Sequence, residues 1–156
     1  MSGTIEVRLA NAGIVLPEAA VPVANYVPYV VTGNLIFISG QVTLKDGSLQ
    51  YIGKVGGEIS EEEAYQAARL CALNLISQAK AACGGDLDRI TRVVKLGGFV
   101  NAQPDFTALP AVINGASDLM VEVFGKEIGA HARAAVGANP LPFNVATEVE
   151  GIFEFK

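Results

Sequence analysis

Residues 130–155, AHARAAVGANPLPFNVATEVEGIFEF, decide the fold. Successive side chains of a strand point to opposite faces. Over 130–137 this puts Ala130, Ala132, Ala134 and Val136 on one face and His131, Arg133 and Ala135 on the other. Over 144–155 it groups Val145, Thr147, Val149, Phe153 and Phe155 against Asn144, Ala146, Glu148, Glu150, Ile152 and Glu154. Only the turn around Asn139-Pro140-Leu141-Pro142 separates the two runs. They are expected to pair, with their apolar sets under helices. Arg133 and Glu148 then share the helix-free face. Ala135, Ala146 and Ile152 leave that face half apolar, as a subunit interface is.

Working back along the chain, 29–31 and 35–42 read as strands around a Gly33-Asn34 turn. The second is apolar on both faces, which predicts cover on both sides. Lys45-Asp46-Gly47 is a turn, and 48–59 a Gly-rich loop with room for a short strand. Ser60-Glu61-Glu62-Glu63 starts a helix with a capping box and three carboxylates at the positive end of its dipole. Ala64, Ala68, Cys71, Leu75 and Ala79 follow helical spacing, and Gly84-Gly85 ends the run. Residues 90–100 are β-branched and read as a strand. Residues 112–124 read as a second helix, weakened by Asn114-Gly115 and closed by Gly125. Residues 4–9 alternate weakly, as a short strand or a loose arm would, and 12–24 are irregular. The order β-β-α-β-α-β-β predicts an α+β fold with a mixed sheet and two helices on one face. The 156 residues suit one domain, with 1–24 as an N-terminal arm.

Half the residues are hydrophobic (51%) and only 17% are charged, against roughly 25% charged in an average soluble domain. That excludes disorder and favours an oligomer with part of its surface hidden. Lys and Arg number 11 against 16 acidic residues, a net charge of −5. With no basic run, neither nucleic acid nor an anionic membrane is an expected partner. The start lacks a basic leader and no transmembrane run is present, so a cytoplasmic location is expected. Cys71 and Cys83 lie on one helix, about 18 Å apart along its axis, too far to bridge. One His and two separated Cys offer no zinc site.

Arg133 and Glu148 admit two readings. One is a cross-strand ion pair. The other is a site, in which an Arg fork binds a carboxylate bidentately and a shielded Glu moves protons to and from water. His131 is two residues from Arg133 and shares its face. It either touches substrate or fills an interface or packing role. Ser39 follows an apolar strand, with no base identifiable to make it a nucleophile.

Ser39-Gly40-Gln41, Ala132-Arg133, Leu141-Pro142 and Glu148-Val149-Glu150 occur in a set order and spacing. Together they resemble the reactive-intermediate deaminase superfamily (Rid, or YjgF-type, sometimes labelled endoribonuclease L-PSP), over about residues 26–155. The resemblance implies a chorismate-mutase-like fold, a homotrimer, and sites in clefts between subunits. It implies hydrolysis of reactive enamines and imines to keto acids and ammonia, with no metal or organic cofactor. It makes Arg133 the carboxylate ligand, Glu148 the water-activating group, and Tyr26 and Ser39 site residues. Where the family commonly has Cys, this chain has Ala135, which offers only its backbone carbonyl. His131 and Asn25 replace prolines. For the family's asparagine, direct counting lands on Pro110 and an insertion brings in Asn114. Two alternatives stand beside the deaminase: a catalytically silent trimer that binds keto or carboxylic acids, and an endoribonuclease.

Overall fold

The computed structural model describes residues 3–156; Met1 and Ser2 of the expected arm lie outside the described residues. The weakly alternating start is neither strand nor loose arm. Thr4–Asn11 is a helix, α1, which buries Ile5 and Leu9. Those two are four residues apart, so a short segment of this kind fits a helix as well as it fits a strand. The N-cap of α1 is Gly3, which has no side chain to cap with. Asp88 caps it from a distance, accepting from Thr4 N at 2.7 Å and Ile5 N at 2.8 Å.

Tyr29–Thr32 (β1) and Leu35–Gln41 (β2) form the expected hairpin, with Gly33 at φ +58° in the turn. Leu44–Lys45 (β3) and Ser48–Leu49 (β4) make a second, small hairpin. Ser60 opens Glu61–Ala82 (α2) through a complete capping box. Ile90–Val100 (β5) follows. Leu109–Gly129 (α3) is longer at both ends than the sequence suggests, and Gly125 interrupts it at φ +82°. Ala132–Gly137 (β6) and Thr147–Phe155 (β7) are the last strands.

The main sheet runs β1-β2-β7-β5-β6. All neighbours are antiparallel except β5 and β6. This overturns the expected pairing of the last two strands. β7 fits between β2 and β5, and β6 lies parallel to β5 at the edge. The 138–146 connection carries the chain past β5, instead of closing a hairpin.

Helices α2 and α3 cover one face. A Cβ on Gly98 would strike Ile113 of α3 at 2.6 Å, and one on Gly151 would approach Leu75 of α2 at 3.6 Å. Gly98 is two residues from Leu96, the partner of Gly151, so all three share a face. The core of Ile36, Ile38, Val93, Leu96, Val149 and Phe153 lies there. α2 and α3 touch closely at Gly115, where a Cβ would be 2.0 Å from the Tyr65 carbonyl oxygen. Asn114-Gly115, read from sequence as a weak start, is therefore a close-packing point well inside the helix. α1 is a third helix, beside α3, where Arg8 Nη1 donates to Val123 O at 3.1 Å.

The other face of the sheet is uncovered. Phe37 is 41% exposed, so β2 is covered on one side only within the chain. β6 is reversed relative to expectation. Ala132, Ala134 and Val136 are exposed, whereas Arg133 and Ala135 turn toward the helices. Alanine fits either side, so the alternation of β6 did not fix its orientation.

Candidate active site

Arg133 pairs with Leu96, a core residue, so its side chain leaves β6 on the helix side. There it meets the first half of α3. Nη1 donates to Asn114 Oδ1 at 2.8 Å and to Ser117 Oγ at 3.2 Å. Nη2 donates more distantly to Pro110 O at 3.5 Å. Asn114, not Pro110, thus provides the side chain beside the arginine, while Pro110 offers only its carbonyl. Both N–H groups of Nη1 are committed, which leaves the Nε and Nη2 edge. That edge has the two parallel donors a carboxylate takes bidentately.

His131 is tied at both nitrogens. Nδ1 lies 2.7 Å from Gly129 O and Nε2 lies 2.9 Å from Ser117 Oγ. A carbonyl can only accept, so Nδ1 carries the proton. In the neutral ring Nε2 then accepts from the Ser117 hydroxyl, whose oxygen accepts from Arg133. The chain Arg133–Ser117–His131–Gly129 holds the guanidinium in place. His131 acts on the site through Ser117 and, within the chain, does not face open space with a free nitrogen. Ser117 was missed in the sequence. Its spacing of three from Asn114, one helical turn, was the available signal.

Glu148 is on the opposite side. It pairs with Phe99, three residues from Leu96, and so faces away from the helices. The expectation that Arg133 and Glu148 share a face fails, because β6 is turned over and β5 intervenes. Glu148 is half-buried. Burial pushes its carboxyl above the ordinary range, and the neighbouring Glu150 adds to the rise. The carboxylate lies against Gly40, where a Cβ would be 2.4 Å from Glu148 Oε1. The glycine of Ser39-Gly40-Gln41 makes room for the acid, a second role that the motif alone did not reveal.

Ser39 is next to this position. Its hydroxyl donates to Val27 O at 2.7 Å, its amide to Pro28 O at 2.9 Å, and its carbonyl accepts from Gln41 Nε2 at 2.9 Å. These bonds fix the segment that carries Tyr26, which is exposed. Tyr26, Ser39 and Gly40 border a cleft of about 320 Å³. Two half-sites therefore stand on opposite faces: Arg133, Asn114, Ser117, His131 and Ala135 on one, and Glu148, Ser39 and Tyr26 on the other.

Cys71 and Cys83 are free and buried. Burial pushes the Cys71 thiol up to about 12, and raises Cys83 as well. Thiols so protonated are poor nucleophiles at neutral pH. Among the described residues no group of three or more His, Cys, Asp or Glu is placed to hold a metal ion. No helix among them is long and apolar enough to cross a membrane.

The profile of the family described as "YjgF/chorismate mutase-like, putative endoribonuclease" matches residues 6–154. The chain belongs to this family. Protein TCP17 of Trypanosoma cruzi is 48% identical over 153 residues, covering 98% of this chain and 95% of that protein. The crystal structure of Atu1372 from Agrobacterium tumefaciens has a TM-score of 0.90 at 47% identity, covering 97% of this chain and 92% of its own. E. coli TdcF, solved with bound serine, shares the YjgF-type fold with a TM-score of 0.64 at 20% identity, covering 89% of this chain and 94% of its own.

Proposed function

We propose that this chain is a hydrolytic deaminase of 2-imino acids, and of the enamines that tautomerise to them, working at sites shared between copies of a homotrimer. The observation that carries the reading is the Arg133 guanidinium. Asn114 and Ser117 occupy one nitrogen and leave the other edge open to a carboxylate. A small ligand that bears a carboxylate is in keeping with TdcF, a protein of the same fold solved with bound serine. The opposite placement of Arg133 and Glu148 calls for a second copy, whose uncovered sheet face brings Glu148 to the Arg133 edge of the first. Val30, Phe37 and Val136 are exposed apolar residues of the uncovered sheet face that such an assembly would cover.

In this reading Arg133 holds the carboxylate of R–C(=NH)–COO⁻. Glu148 of the neighbouring copy takes a proton from water as its oxygen bonds to the imine carbon, and the C=N π electrons become a nitrogen lone pair. That proton passes to nitrogen to give the carbinolamine. Glu148 then takes the hydroxyl proton and hands it to the amine, the C–N bond breaks with its electrons going to nitrogen as C=O forms, and R–CO–COO⁻ and ammonia leave. The raised carboxyl of Glu148 suits a group that must both take and return a proton. Imines hydrolyse readily in water, so positioning and one proton shuttle suffice. No cofactor enters the scheme, and the expected setting is the cytoplasm.

The test is 2-oxo acid release from imines generated in situ by an amino-acid oxidase, with semicarbazide as competitor. Acceleration that disappears in Arg133→Ala supports the reading; no acceleration with any imine sinks it. A second reading, a silent binding trimer, draws on Ala135, whose methyl offers the site no polar group. It predicts thermal stabilisation by 2-oxobutanoate without turnover. Ribonuclease action finds little support here, since His131 is engaged at both nitrogens and the net charge is −5. RNA cleavage that persists in Arg133→Ala and Glu148→Ala would be a contaminant's.

A further inference from the structure

We propose that the cleft beside Tyr26 and Ser39 is the side-chain pocket of this site, and that it selects 2-imino and 2-oxo acids with a ring-sized side chain ending in a hydrogen-bond donor. The proposal rests on the deaminase reading for the position of the acid group. Three observations carry it.

The first is size and continuity. The cleft holds about 320 Å³ and begins at Ser39 and Gly40, against which Glu148 lies. That is the lower end of the range for a small-ligand pocket, and generous for a methyl or ethyl group.

The second is that its walls are fixed. Residues 20–23 form one wall, tied down to α2: Ser77 Oγ donates to Pro17 O at 2.7 Å and Gln78 Nε2 donates to Ala20 O at 2.8 Å. Leu44 and Leu49 of the small hairpin form another. Phe143 stands at the edge with φ +55° and 78% of its surface exposed. A bulky residue in the left-handed region is strained. The next residue holds it there, as Asn144 Oδ1 accepts from Asn101 Nδ2 at 2.9 Å and Asn144 O from Gly53 N at 2.8 Å. An aromatic ring kept exposed at a cost, beside a cleft, is suited to stacking on a ligand ring.

The third is polar. Gln78, only 2% exposed, lines the cleft, and among the described residues its amide oxygen accepts no hydrogen bond. Its orientation is not in question, because Ala20 O can only accept and so binds the NH₂ end. Asn74, one turn earlier on α2, is oriented the same way. Its Nδ2 donates to Val42 O and Leu44 O, and its oxygen is left over. Two unfilled acceptors on the α2 wall of a mostly apolar cleft call for a donor, such as a phenol hydroxyl or an indole N–H.

The experiment titrates the full-length protein with 2-oxopropanoate, 3-phenyl-2-oxopropanoate and 3-(4-hydroxyphenyl)-2-oxopropanoate by calorimetry. We expect the phenol acid to bind about tenfold or more tighter than 2-oxopropanoate, and tighter than the phenyl acid. In Gln78→Leu the phenol acid should lose most of its preference over the phenyl acid while the phenyl acid keeps its affinity, which shows that the wall Gln78 also ties is still in place. Leu49→Trp, which fills the cleft from the small hairpin and leaves the bonds from Ser77 and Gln78 to Pro17 and Ala20 in place, should abolish the advantage of both ring acids over 2-oxopropanoate. If all three acids bind, all lose binding in Arg133→Ala, and the ring acids show no advantage, the cleft assignment falls and the Arg133 carboxylate site stands. If the phenol advantage survives in Gln78→Leu and Leu49→Trp, the cleft assignment falls too. If no acid binds the parent protein, the underlying site falls and takes the cleft with it.

Discussion

In the proposed site, Ser117, Gly40 and Glu148 each have a distinct part. Ser117→Ala removes the hydroxyl between His131 and Arg133 without removing the charge. We expect KM for the imino acid to rise several-fold with a smaller change in kcat, since the carboxylate clamp loosens. His131→Phe should move the same ratio in the same direction, and an unchanged KM in both would end the positioning role. Gly40→Ala puts a methyl where the Glu148 carboxylate lies. The flexible carboxylate end gives way first, so the variant should keep its fold by circular dichroism and lose most of its activity. Glu148 also carries a pH signature. Its folded pKa is raised, so its contribution to stability is fully present below the ordinary carboxylate range and is lost as pH rises through the raised value. Glu148→Gln should therefore melt higher than the parent at pH 7 to 8, with the gap closing toward pH 4. Equal melting temperatures across that range would contradict the shift. At this scale the sequence was informative about identity and poor about direction. Arg133 and Glu148 stood out in patterned strands, and Asn114 could be reached with an insertion. Ser117 and Gln78 did not stand out, since a polar residue on a helix carries no mark of what it faces.

The elements were legible where local rules decide them. The capping box at Ser60, the glycines after α2 and the β1–β2 turn are local, and each formed as expected. The partner of a strand is not local. β7 inserted between β2 and β5, and β6 joined β5 in parallel, because sheet order answers to the whole core. α1 was lost to the same limit, being too short for its period to decide and capped by Asp88, remote in sequence. Asp88→Ala should cost about 0.5–2 kcal/mol, the usual worth of a helix cap. Bonds from Thr4 and Ile5 hold the Asp88 carboxyl below its ordinary value, so this support is present above the ordinary range and fades as pH falls through the lowered value. Limited proteolysis near residues 4–11 should quicken in the variant, and in the parent only in acid. Gly115→Ala adds a methyl against the Tyr65 backbone, which cannot swing aside as a side chain can. Overpacking of this kind costs roughly 1–3 kcal/mol or more, readable as a fall in the denaturant midpoint.

For the whole molecule, the opposed half-sites make a prediction that no single copy can meet. Arg133→Ala and Glu148→Gln should each be inactive alone. In the proposed homotrimer, the two variants unfolded together and refolded as a mixture should recover about a quarter of the parent activity, from random assortment of copies. No recovery, with mixing confirmed by native mass spectrometry, would place both groups in one copy's site or neither. Fold class and family were readable from sequence because patterned strands and spaced motifs survive in one dimension. The proposed assembly had three signs in the sequence, the scarcity of charge, a half-apolar strand face and the family resemblance, but none of them said which face of β6 carries Arg133.

The cap on α1 also bears on the order in which the chain can be completed. Synthesis begins at the N-terminus, so Thr4–Asn11 leaves the ribosome long before Asp88 exists. Eight residues are too few to persist as a helix alone in water. α1 can close on its cap only once Asp88, just before β5, has been made, and on α3 only later still. The earliest helix in the described chain is therefore among the last to settle.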